Sequence, residues 1–168
     1  MGYKHRLNLR DIECSLRKVQ AEFHKLNAIL KSRRDPLEDQ IIDNMMAGYA
    51  YVDQLLEEKA DIFKEKNVDK LLEINHIVLC GSMETVRKEH TKHLRATSER
   101  FYRQAGCNIY DVLKWVKKNR KESEWRVSAG VYINILSQPQ LFIEGNHRSG
   151  ALIMSYLLSR KGKDPFVL

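Results

Sequence analysis

Cysteine is scarce in this chain of 168 residues, and its three copies, Cys14, Cys80 and Cys107, are too scattered for a metal or redox motif. An odd number at such spacing argues against a disulfide framework and for a reduced interior, so the expected compartment is the cytoplasm. Long apolar runs are also missing. No stretch reaches the roughly 20 residues of a membrane helix, and the polar N-terminus has no signal-peptide core, so no membrane partner is expected. Internal repeats and low-complexity tracts are absent. Proline occurs three times, at Pro36, Pro139 and Pro165, and each copy reads as the edge of an element.

What the chain does have is apolar content at helical spacing and an excess of positive charge. At 43% hydrophobic it can bury one real core, and it is too short for a second full domain. The expectation is an all-α fold, with residues 1–34 as an N-terminal amphipathic helix or arm and residues 35–168 as the main helical domain. A net charge of +7 and a pI of about 9.3 draw anionic partners such as nucleotides, nucleic acid or acidic proteins at long range, without naming one.

Ile12, Leu16, Val19, Phe23, Leu26 and Leu30 form one stripe of a first helix starting after Asn8 or Asp11. The stripe either packs on its own domain or forms a seam joining two copies as a homo-oligomer. After a Ser32-Arg33-Arg34 turn, Asp35-Pro36-Leu37-Glu38 offers a cap, a first-turn proline and a capping-box glutamate, which predicts a helix from Pro36 to about Lys64. Ile41, Met45, Tyr49, Val52 and Leu56 are its core face, with Gly48 as a weak point. A third helix is expected from an Asn67 cap to a stop near Gly81, with His76 on or beside its apolar face.

Residues 82–108 carry little periodicity and much positive charge, including Arg87, Lys88, His90, Lys92, His93, Arg95, Arg100 and Arg103. His90 and His93 are spaced to share a helix face as a metal pair, but a solvated basic face accounts for them without a metal. With Phe101 and Tyr102 nearby, the same face offers contacts to nucleic acid. A fourth helix follows over Ile109 to Lys118. A fifth opens near Ser123 and runs through Trp125, Ala129, Tyr132, Ile135 and Leu136 until Pro139 stops it.

The most informative stretch runs from Gln140 to Lys161. A polar loop holding Glu144, Asn146, His147 and Arg148 lies between two segments apolar enough to be buried helices, Val127 to Leu136 and Ala151 to Leu158. Polar groups held there need a partner or a use. If the second helix begins just after Arg148, its free N–H groups point into the loop, and Gly145 lets the backbone curl around an anion. Gly145, Asn146, His147 and Arg148 then read as a phosphate cradle. Glu144 supplies a carboxylate suited to Mg2+ that is otherwise ligated by the phosphates.

The run Phe142-x-Glu144-Gly145-Asn146-x-Arg148 resembles the signature H-x-F-x-[D/E]-G-N-G-R-x-x-R of the Fic (Fido) family, most of whose members transfer AMP from ATP to a hydroxyl of a target protein. The flanking apolar helices and the upstream Leu71-Leu72-Glu73-Ile74-Asn75-His76 are similar as well, so the resemblance spans about residues 40–168. It implies a helical bundle around a buried motif helix, ATP and Mg2+ as cofactors, and a small β-hairpin flap that docks the target protein around residues 87–103. Three positions depart from the signature. Gln140 stands where the family has its general-base histidine, His147 where it has a second glycine, and Ala151 where it has the last arginine. Gln140 is an amide that cannot take up a proton near neutral pH, so the resemblance implies nucleotide binding with weak or absent transfer. The alternative is a non-enzymatic module binding a protein or nucleic acid through its basic face. An inhibitory [S/T]-x-x-x-E-[G/N] helix finds only Thr85-x-x-x-Glu89-His90, which lacks the final residue, and its arginine partner is replaced by Ala151.

Overall fold

Nearly every position of the helix after the loop is buried. α8 (Asn146–Ser159) hides residues on all sides, Ser149, Ala151, Leu152 and Ser155 among them, and this makes it the axis of the fold. The computed structural model describes residues 6–31 and 36–167. Around α8 stand α1 (Leu9–Ile29), α2 (Asp39–Glu57), α3 (Asp69–Cys80), α4 (Glu84–Glu89), α5 (Thr91–Arg103), α6 (Ile109–Asn119) and α7 (Glu124–Leu136), with one 3-10 turn at Glu65–Asn67. Among the described residues there is no strand, and the fold is all-α.

The packing around α8 depends on small residues. α7, α2 and α3 lie directly against it. Gly150 meets the Tyr132 ring of α7, where an added Cβ would come within 2.8 Å of Cδ2, and Gly130 faces the Trp115 ring of α6 with still less room. Gly48, a weak point in helix propensity, is where α2 receives the tip of Leu152. The helix cost of about 1 kcal/mol at glycine is offset by this close approach, which lets Leu152 bury completely. The tail after α8 folds back, and the Phe166 carbonyl accepts bonds from Tyr49 OH (2.8 Å) and Ser155 Oγ (2.6 Å).

α1 begins where expected: the Asn8 side chain accepts from the Asp11 N–H. Ile12 and Leu16 enter the common core, whereas Leu26 and Leu30, at the far end of the predicted stripe, are exposed. The Ser32-Arg33-Arg34 turn and the Asp35 cap lie outside the described residues. α2 departs from its predicted start, because Pro36, Leu37 and Glu38 precede the helix and Asp39 opens it. Gln20 of α1 donates to the Leu37 carbonyl (2.9 Å), and Arg17 pairs with Asp39 and Asp43, so tertiary contacts set this start. α2 also stops at Glu57 rather than near Lys64. Asn67 does not cap α3; its amide donates to the Asp61 carbonyl instead (2.7 Å), while Gly81 ends α3 at φ 68°.

In place of a hairpin flap, residues 84–103 form α4 and α5. α5 buries only Thr97 and Phe101, so its apolar face is too thin to stand out among its charges. α7 is capped by Ser123, as the sequence indicates, and Trp125 near its start lies half-exposed.

Candidate functional site

α8 starts at Asn146, three residues before the expected point, so His147 and Arg148 sit in its first turn. Its N-cap is Gly145 in the left-handed region (φ 73°), with no side chain to accept from the amides of that turn. Glycine is required there on two counts. A Cβ would also stand 3.2 Å from Asn75 Nδ2 and Val78 Cγ1 and 3.3 Å from Leu79 Cδ2.

The preceding loop is held from several directions. It contains a cis peptide between Gln138 and Pro139. Leu141 and Phe142 are buried, and the Phe142 ring stacks on Phe101 of α5 at 5.6 Å between centroids. The buried Asn146 side chain clamps Phe142 from both sides: Oδ1 accepts from its N–H and Nδ2 donates to its carbonyl, each at 2.9 Å. Nδ2 also reaches Gln140 Oε1 at 3.2 Å. The Asn146 amide, predicted as part of the cradle, is thus engaged in holding the loop. Gln140 accepts through its backbone carbonyl from Arg100 Nε at 2.8 Å.

From α3, Asn75 donates to both the Glu144 carbonyl and Ser149 Oγ, each at 2.9 Å, tying the loop to the second turn of α8. Its own Oδ1 is buried without a hydrogen-bond partner among the described residues.

The remaining candidate residues face outward to different degrees. Arg148 is half-buried; Nη1 donates to the Val78 carbonyl at 3.2 Å, and no carboxylate of the described residues pairs with it. Burial pushes its guanidinium pKa down, while Glu144 nearby acts the other way. His147 is exposed, with Nδ1 3.1 Å from Tyr132 OH. Ala151 is fully buried, so the position that carries the last arginine in the signature faces the core here.

Glu144 is exposed, and its Oε2 lies 3.6 Å from Nε2 of His93 on α5. His90 sits at the junction of α4 and α5, and no group of three or more His, Cys, Asp or Glu among the described residues is arranged to hold a metal. Glu144 alone fits Mg2+ only in the mode in which a nucleotide's phosphates complete the shell. His76 lies beside Glu73 (4.0 Å), and its Nε2 is buried without a hydrogen-bond partner among the described residues. Burial holds its pKa below the usual histidine value; Arg87 and His93 add to this and Glu73 opposes it.

The first turn of α8 closes one end of a groove of about 530 Å³ between α1 and α2. Val19, Phe23, Ile41 and Met45 contribute to its walls, and Gly145 to Arg148 form its polar end. The geometry therefore joins an uncapped helix N-terminus and a guanidinium at one end of an apolar cleft, an arrangement suited to an anionic group with a larger body.

Sequence reasoning did not assign Asn75, Arg100, Tyr132 or His93 to this region. Asn75 carried a usable signal, as a lone amide within the apolar run Leu71 to Val78; the other three are brought in by tertiary packing alone. No family model, curated protein or solved structure matches this chain.

Proposed function

We propose that this is a Fic-like protein whose loop and α8 N-terminus bind the phosphates of a nucleotide, with ATP and Mg2+ as the natural pair, and that AMP transfer to a protein hydroxyl is weak or absent. The observation that carries this reading is the first turn of α8: it opens on Gly145 without a side-chain cap and ends the groove together with Arg148. In this reading Arg148 and the free amides of the turn hold phosphate, His147 contacts it from the rim, and Glu144 contributes one Mg2+ ligand.

Transfer is handicapped because Gln140 occupies the base position, and its side chain is already engaged with Asn146. A positioned general base is worth about 10²- to 10⁴-fold in rate, and no amide replaces it. A target protein docks on the helical basic stretch 87–103 through side chains of α4 and α5, not by strand pairing.

Calorimetric titration of ATP and Mg2+ into the wild-type protein and into Arg148→Ala tests the proposal. The expected result is measurable binding that weakens at least about tenfold in the variant, provided its melting curve stays cooperative. Absence of ATP binding in the wild-type protein would sink it.

A further inference from the structure

At the other end of α8, about 20 Å from the motif by helical rise, a second cavity of about 600 Å³ opens between α6, the C-terminus of α8 and the segment 61–65. Its floor is apolar: Phe63, Leu113, Val116 and Leu157 are half-buried and pack on the core. Its rim is basic. Lys114, Lys117 and the C-cap Arg120 recur at every third residue along one face of α6, and Lys161, just past the end of α8, shares the rim with them. All four are exposed, and none has an ion pair or side-chain hydrogen bond among the described residues.

The remaining rim charges do not neutralise them. Arg160 and Asp61 pair with each other at 3.0 Å, which leaves Glu65 as the other carboxylate. The C-termini of α6 and α8 both converge on this cavity and together offset about one further positive charge. An excess of about two positive charges remains over an apolar floor.

We infer that this cleft is a docking surface for an acidic amphipathic helix of a partner protein. Two features select that occupant. The cations repeat at helical spacing along α6, so carboxylates on one face of an adjacent helix would meet them in series, and the aliphatic floor accepts the apolar face of that same helix. Single-stranded nucleic acid needs flat stacking faces, and Tyr110 is the one exposed aromatic in the lining, with half its surface accessible.

The test is fluorescence anisotropy with a labelled amphipathic peptide that carries leucines on one face and glutamates on the other. It is titrated with the wild-type protein, with Lys114→Glu/Lys117→Glu, and with the charge-matched control Arg10→Glu/Lys18→Glu on α1. Both pairs are exposed, and circular dichroism checks that each variant keeps its helices. The expected result is binding that falls steeply with salt, weakens roughly tenfold in the α6 variant and less than about twofold in the control. Replacing the peptide's leucines with serine should abolish it. Equal weakening in the two variants, no peptide binding to the wild-type protein, or displacement of the peptide by a tighter-binding oligouridylate would each overturn the inference.

Discussion

Nε2 of His93 lies 3.6 Å from Oε2 of Glu144, so α5 holds the one carboxylate of the loop that precedes α8. Glu144 is exposed and His93 only partly buried, and a pair of this kind contributes about 0–1 kcal/mol, which makes it a weak structural link that a metal ion can displace. Glu144→Gln should therefore change unfolding stability by less than about 1 kcal/mol while removing the Mg2+ dependence of ATP binding. His93→Gln should strengthen that dependence. Calorimetry with and without Mg2+ separates the two effects, and an unchanged Mg2+ effect in Glu144→Gln would show that this carboxylate is not the ligand.

Asn75 is fully buried and supplies both hydrogen bonds that join the loop to Ser149. Asn75→Leu keeps the branched shape with somewhat more bulk but leaves the Glu144 carbonyl and the Ser149 hydroxyl without their donor. We expect a loss of about 2 kcal/mol in urea unfolding and faster amide exchange in the first turn of α8. A loss below about 0.5 kcal/mol would mean that the loop is positioned by other contacts.

Gly130 has no room for a methyl group against the Trp115 ring, which is rigid and packed on the core. Gly130→Ala should cost about 1–3 kcal/mol and shift the tryptophan emission, despite alanine's better helix propensity. Stabilisation by this change would contradict the close packing of α6 on α7.

How much was legible beforehand depended on whether a signal was local. The Asn8 and Ser123 caps, the Gly81 stop and the burial of α8 follow from neighbouring residues and were readable from sequence. The start of α2 was not, because Gln20 of α1 takes up the Leu37 carbonyl and this contact outweighs the Pro36 signal. α5 was hidden because its buried face amounts to Thr97 and Phe101. At the candidate site, the backbone curl at Gly145 was predictable, but the clamp of Asn146 on Phe142 was not. Both partners are close in sequence, yet nothing there says that an amide beside an arginine will turn inward.

Stability in acid should carry the signature of His76. Its pKa is held below the usual 6.5, chiefly by burial, so the unfolded chain binds a proton more readily than the folded one. The resulting stability is present above the unfolded pKa and is lost as pH falls from about 6.5 through the lower folded value. Denaturant midpoints measured on both sides of that window should show the loss in the wild-type protein and a smaller one in His76→Gln.

In alkali the tyrosines act, Tyr49 and Tyr51 foremost: burial pushes the pKa of each up to about 12. The sign is reversed here: stability is fully present below the unfolded tyrosine value near 10 and is lost as pH rises through about 12. Tyr49→Phe should be less stable by about 1 kcal/mol at neutral pH, because the bond to the Phe166 carbonyl is gone, and should lose less stability above pH 10. Equilibrium unfolding followed across this range would show the two curves converging.

The seat of Leu152 against Gly48 fixes the mechanics of the α8 axis. A leucine tip lodged where a side chain would otherwise stand prevents α8 from sliding along α2, since sliding would lift the tip over the neighbouring turns. Leu152 lies six residues from Asn146, or about 9 Å along the helix. The loop end of α8, which borders the groove, is thus seated close to this contact.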